Sequence, residues 1–154
     1  MKYRIVVFLM LLTGQGCRQL EVYEQMKSFP NHTWANSDSC RFVFHISDTT
    51  VRYHIYTILR HEDAYHYNNI WLEVKTQAPQ DTIKKQSVML RLGDNKKGWL
   101  GTGMGDVFEH RVRITRYPVQ LRQGDYVFVL RQIMREDPLQ NVLQAGLRVE
   151  KAVQ

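Results

Sequence analysis

The sequence predicts an all-β protein, a single antiparallel β-sandwich of the jelly-roll type, with an open barrel as the alternative. Three observations point there. Short runs alternate apolar and polar residues, the period of a half-buried strand. Turn signals rich in Asn, Asp, Ser, Gly and Pro separate those runs. Beyond one turn, no stretch carries a convincing helical period.

Glu21 to Ser28 reads as the first strand, closed by Pro30-Asn31. After the turn Asn36-Ser37-Asp38-Ser39, residues 40–46 put Cys40, Phe42, Phe44 and Ile46 on one face and Arg41, Val43 and His45 on the other. Ser47-Asp48-Thr49-Thr50 turns the chain into a run in which Tyr53, Ile55, Thr57 and Leu59 share a face. A tyrosine-rich loop, 61–69, follows. Ile70, Leu72, Val74 and Thr76 form the next strand, and Val88, Leu90 and Leu92 another. Residues 98–105 are glycine-rich. Val107 to Thr115 and Tyr126, Phe128 and Leu130 are strand-like, residues 134–143 read as a helical turn, and Gly146 to Lys151 closes the domain.

The first residues follow a different logic. Met1-Lys2-Tyr3-Arg4 is basic, Ile5 to Leu12 is apolar, and Thr13-Gly14-Gln15-Gly16 leads to Cys17. This is the order of a secretory signal peptide, and its apolar run is too short to span a bilayer. A glycine directly before a cysteine is the arrangement at which bacterial lipoproteins are cut and acylated. A typical lipobox has Leu three residues before the cysteine and Ala, Ser or Thr two before; here those positions hold Gly14 and Gln15. Lipidation at Cys17 is therefore the expectation, with two or more acyl chains giving a stable membrane hold. The expected organisation is a lipoprotein signal peptide over 1–16, a lipidated N-terminus and tether over 17–21, and a β-rich globular domain over 22–154.

Removal of Lys2 and Arg4 lowers the formal charge from +6 to +4. The remaining basic residues are scattered rather than gathered on one face, so no nucleic acid is expected as a partner. Anionic lipid headgroups suit the small excess better. Cys40 is the second of two cysteines, and its alternation with Phe42 and Phe44 places it in the core as a small hydrophobe.

Gly101-Thr102-Gly103-Met104-Gly105-Asp106 has glycines at alternate positions but neither the Gly-Lys-Ser/Thr ending of a phosphate loop nor a following helix. Its glycines are expected to serve positive φ or close backbone packing. Of six histidines, only His61 and His66 sit with Glu62 and Asp63 in one loop, which reads as solvated rather than as a zinc site. Neither Gly-x-Ser-x-Gly nor His-Glu-x-x-His occurs. No catalytic residue, metal site or cofactor is expected, and the chain is not expected to be an enzyme. The aromatics Tyr53, Tyr56, Tyr65, Tyr67, Trp71 and Trp99 leave two classes open, a protein-interaction module and a glycan-binding module.

Four stretches, in order, carry a family likeness: Val22-Tyr23-Glu24-Gln25; Ser47-Asp48-Thr49-Thr50 after the Phe-rich strand; Gly98-Trp99-Leu100-Gly101-Thr102-Gly103-Met104-Gly105-Asp106; and Gln132-Ile133-Met134-Arg135 followed by Gly146 to Lys151. The chain resembles the GldH family of gliding-motility lipoproteins. The resemblance implies a non-enzymatic envelope lipoprotein of gliding Gram-negative bacteria and their non-gliding relatives. It also implies association with the motility machinery that supports type IX secretion, and other envelope proteins as partners. Arg18-Gln19-Leu20 lacks the acidic run linked to surface export in these bacteria, so the expected place is the outer membrane, facing the periplasm. The expected partner-binding residues are Trp99, Gly101, Gly103, Gly105 and Asp106 with Tyr65 and Tyr67, on loops of a rigid β scaffold. The alternative is that Trp99 plugs one end of the sandwich.

Overall fold

A computed structural model describes residues 21–153. The signal peptide and Cys17 lie outside the described residues. The elements are β1 (Glu21–Ser28), a 3₁₀ turn (Pro30–His32), β2 (Thr33–Trp34), β3 (Cys40–Ile46), β4 (Arg52–Glu62), β5 (Asn69–Gln77), β6 (Lys84–Arg91) and β7 (Gly93–Asp94). They continue with β8 (Gly98–Trp99), β9 (Thr102–Met104), β10 (Val107–Arg113), β11 (Val119–Gln120), β12 (Gly124–Gln132), β13 (Leu139–Gln140) and β14 (Val142–Lys151). Every strand pairing is antiparallel.

One large sheet runs β1-β14-β4-β10-β9, with β11 also on β4; the other runs β3-β12-β5-β6, and β13-β2 and β7-β8 form two small two-stranded sheets. Period-two alternation decides which side chains meet between them. From β3 come Cys40, Phe42, Phe44 and Ile46, all buried. From β4 come Tyr53, Ile55 and Leu59, and from β12 Tyr126, Phe128 and Leu130. Phe44 stacks on Tyr126 at 5.4 Å and tilts against Phe128 at 5.7 Å. Burial pushes the Cys40 thiol up to about 12, so it is an inert core group.

Trp34 closes one end of this core. It is fully buried, stacks on Phe29 at 4.7 Å, and its indole N–H donates to the Asp38 carbonyl at 2.7 Å.

The expected helical turn at 134–143 is not formed. That stretch is irregular up to β13 and then joins β14. Pro138 supplies no N–H for a helix. The Gln132 side chain instead accepts from Met134 N at 2.8 Å and donates to the carbonyls of Trp34 and Glu136. Side-chain amides thus satisfy backbone groups that a helix would have paired internally. The closing strand also starts earlier than the alternation suggested, at Val142, with a bulge between Val142 and Gln144. Val88 is half-buried, while Leu90 and Leu92 are inside.

Register fixes the ends of the molecule. β4 runs from Arg52 at one pole to Glu62 at the other. Glu21 pairs Glu150, which pairs His54, so the chain enters at the Arg52 pole. The eleven residues of β4 separate the two poles by roughly 30 Å.

Candidate functional site

The glycine-rich stretch forms a hairpin at the Glu62 pole. β9 pairs β10, with Gly103 opposite Phe108 and Met104 opposite Val107. The glycines divide between two duties. Gly98 and Gly105 have φ of 74° and 62°, which L side chains adopt only with strain. Gly101 is needed for close approach: a Cβ there would lie 2.4 Å from the Glu109 carbonyl oxygen and 2.9 Å from the His110 ring. Gly103 packs in the same way on the Phe108 ring. The Asp106 carbonyl accepts from Asp63 N at 2.7 Å and ties the hairpin tip to the end of β4.

Trp99 lies inward of the hairpin. Its ring is 4.4 Å from His61, 5.9 Å from Phe108 and 6.3 Å from Tyr65, and its N–H donates to Asp63 Oδ1 at 2.7 Å. It is half-buried against the core. Tyr65 is buried outright, donating its hydroxyl to the Asn69 carbonyl at 3.0 Å, and burial raises its pKa. Tyr67 packs edge-on against it at 5.8 Å and is half-exposed. The aromatic members thus form the plug beneath the hairpin. Met104, at the hairpin tip, is 87% exposed, and Leu100, which precedes β9, is exposed as well.

Behind the plug lies a pair that spacing along the chain does not disclose. His61 Nε2 and His110 Nε2 are 2.9 Å apart and both rings are buried. His61 Nδ1 lies 2.7 Å from the Glu62 carbonyl, so Nδ1 carries the proton and donates. His61 Nε2 is then the acceptor and His110 Nε2–H the donor. Burial lowers both pKa values, that of His110 to about 4, with its neighbour adding to the effect. Both rings stay neutral in the folded state, whereas the unfolded chain protonates near its ordinary value of about 6.5. Stability contributed by the pair is complete above pH of about 6.5 and falls as pH drops towards 4, by about 1.4 kcal/mol per pH unit for each ring that protonates only on unfolding. Urea unfolding at pH 7, 6, 5 and 4.5 checks this, with His110→Gln expected to flatten the slope.

The solvated loop expected over 61–69 starts later, because His61 and Glu62 complete β4 with His61 buried, and the acids and histidines of this stretch diverge. Glu62 pairs with His32 at 2.7 Å, Asp63 takes the Trp99 N–H, and His66 faces Glu136 at 3.4 Å. Among the described residues no group of three or more His, Cys, Asp or Glu side chains converges on one point.

Next to the hairpin, the outward face of the larger sheet forms a groove of about 1000 Å³. Phe29, His32 and Leu143 make one wall, and Thr102, Met104 and Val107 the other. The floor is polar. Arg60 donates to Glu109 at 2.6 Å and to Gln144 at 2.9 Å, residues on three neighbouring strands. Burial acts against the Glu109 charge, but Arg111 and Arg60 outweigh it and hold its carboxyl below the usual range. Arg111 also reaches Glu24 on β1 at 3.5 Å, crossing over Ile58 and Gly146. Ile58 is consequently buried although it lies on the outward face. Alternation along β4 and β10 was the only sequence signal for this groove, because its residues come from five distant strands.

The fold and this surface define a single-domain antiparallel β-sandwich with a groove and hairpin at the pole opposite chain entry. The model of the GldH lipoprotein family matches residues 21–149, and the chain belongs to that family. It is 24% identical over 155 residues to the gliding motility lipoprotein GldH homolog of Christiangramia forsetii, covering 96% of this chain and 94% of that one. It is 22% identical over 144 residues to the gliding motility lipoprotein GldH of Flavobacterium johnsoniae, covering 88% of each. Among solved structures it is similar to a carbohydrate-binding module of family CBM28 specific for non-crystalline cellulose, with a TM-score of 0.47 and 8% identity, over 84% of this chain and 73% of that one. The family is named for gliding motility and not for a catalysed reaction.

Proposed function

We propose that lipid on Cys17 holds the domain on the periplasmic face of the outer membrane. There it acts as a non-catalytic docking component of the gliding machinery associated with type IX secretion. One observation carries this reading. The chain enters at one pole, while the hairpin and groove lie at the other, so an anchor at Cys17 would turn the hairpin towards the periplasm. Confinement to a membrane also raises the effective concentration of the domain for membrane-bound partners. The partner surface is the hairpin tip at Met104 with the groove beside it and the exposed Leu100 that precedes β9; Trp99, Tyr65 and Tyr67 pack next to it.

A glycan-binding role asks for aromatic faces open to solvent. Tyr65 is buried and Trp99 turns onto His61. The exposed Trp71 lies on the other sheet and the exposed Tyr117 at the opposite pole, away from the hairpin and groove, so the protein-docking role is preferred there.

In a deletion strain complemented with Met104→Glu and Leu100→Glu together, the protein is expected to reach wild-type level in the membrane fraction. Colony spreading and in vivo crosslinking to envelope partners are expected to fall about tenfold or more, as for loss of a central contact. Wild-type spreading and crosslinking would overturn the assignment of the hairpin.

A further inference from the structure

We propose that the Arg52 pole of the sandwich seats directly on an anionic lipid surface, so that the domain is docked as well as tethered. This rests on the lipid at Cys17. From Cys17 to Glu21 the chain spans at most about 14 Å, which keeps this pole within a headgroup layer of the bilayer.

The pole is built for that contact. Arg113 ends β10, and the connection from there to β12 carries Arg116 and Arg122 and no acidic residue; Arg122 reaches Asp81 at 3.4 Å. Arg52 lies beside it, paired by register to Gln120. Among the described residues, none of Arg52, Arg113 and Arg116 makes an ion pair with an acidic side chain. Tyr117 is 66% exposed with the Arg116 guanidinium over its ring at 5.4 Å. Val153 and Ile83 are also exposed at this pole. An amphipathic aromatic next to arginines is the composition that settles at a membrane–water interface. Arginines there gain from the negative potential of anionic headgroups, a gain that salt screens.

The test uses the acylated full chain purified from membranes and reconstituted into vesicles of phosphatidylglycerol or of phosphatidylcholine. A nitroxide is placed at Tyr117→Cys or, for comparison, at Met104→Cys; the buried Cys40 thiol does not compete for label. In phosphatidylglycerol vesicles, collisions with a water-soluble nickel complex are expected to fall by about fivefold or more at position 117 and to stay unchanged at position 104. Phosphatidylcholine, 1 M salt or the combined change Arg52→Glu, Arg113→Glu and Arg116→Glu should restore access at 117. A chain that floats with phosphatidylglycerol vesicles yet leaves 117 as accessible as 104 overturns the docked pole alone. A chain that floats with neither vesicle overturns the anchor, and the docked pole with it.

Discussion

Trp34→Ala should destabilise the domain by about 3–5 kcal/mol, the range for truncating a large buried aromatic. Trp34 has no solvent exposure. Its ring stacks on Phe29, its N–H satisfies the Asp38 carbonyl, and its own carbonyl accepts from the buried Gln132 amide. Removing the ring therefore opens a cavity and orphans a polar group at the same point, two costs that add. Trp34→Phe keeps a ring against Phe29 but loses the donated hydrogen bond and part of the ring volume, so it should cost less than the alanine change, about 2–3 kcal/mol. Urea titration read by circular dichroism separates the two. A loss below about 1 kcal/mol for the alanine variant would contradict this account of the core.

The second large effect is expected at Gly101. A methyl group there would meet the Glu109 carbonyl and the His110 ring. β10 is held on both sides, by β4 and by β9, and cannot retreat alone. Gly101→Ala should cost about 1–3 kcal/mol and loosen the hairpin, seen as faster amide exchange at residues 102–108. Gly105→Ala makes a contrasting control. Nothing lies within 4 Å of its added carbon, so only the φ of 62° is strained and the cost should stay near 1 kcal/mol. Equal costs at the two positions would remove the close-packing explanation for Gly101.

These two sites show what the sequence could and could not convey. β3 and β12 were legible because each buries one face, and period-two alternation records that directly in Phe42, Phe44, Tyr126 and Phe128. The fold class followed from that alternation. The stretch 134–143 misled although Pro138 already opposes a helix, and the Gln132 amide, bonded to Trp34, Met134 and Glu136, holds the irregular form in place. The glycine stretch was legible as a bend, but Gly101 answers to a carbonyl eight residues away. Trp99 and Tyr65 were legible as aromatics of one neighbourhood; that Tyr65 lies inside depends on its hydroxyl finding the Asn69 carbonyl. The His61–His110 pair and the groove floor of Arg60, Glu109 and Gln144 were out of reach, because antiparallel register between distant strands creates them.

Everything proposed about position in the envelope turns on Cys17. The decisive measurement is the intact mass of the mature protein together with its flotation on a density gradient, wild type beside Cys17→Ala. The mature chain is expected to begin at Cys17, carry acyl mass and float with membranes, while Cys17→Ala stays unprocessed or leaves the membrane fraction. An unmodified chain cut elsewhere, partitioning alike in both forms, would contradict that expectation.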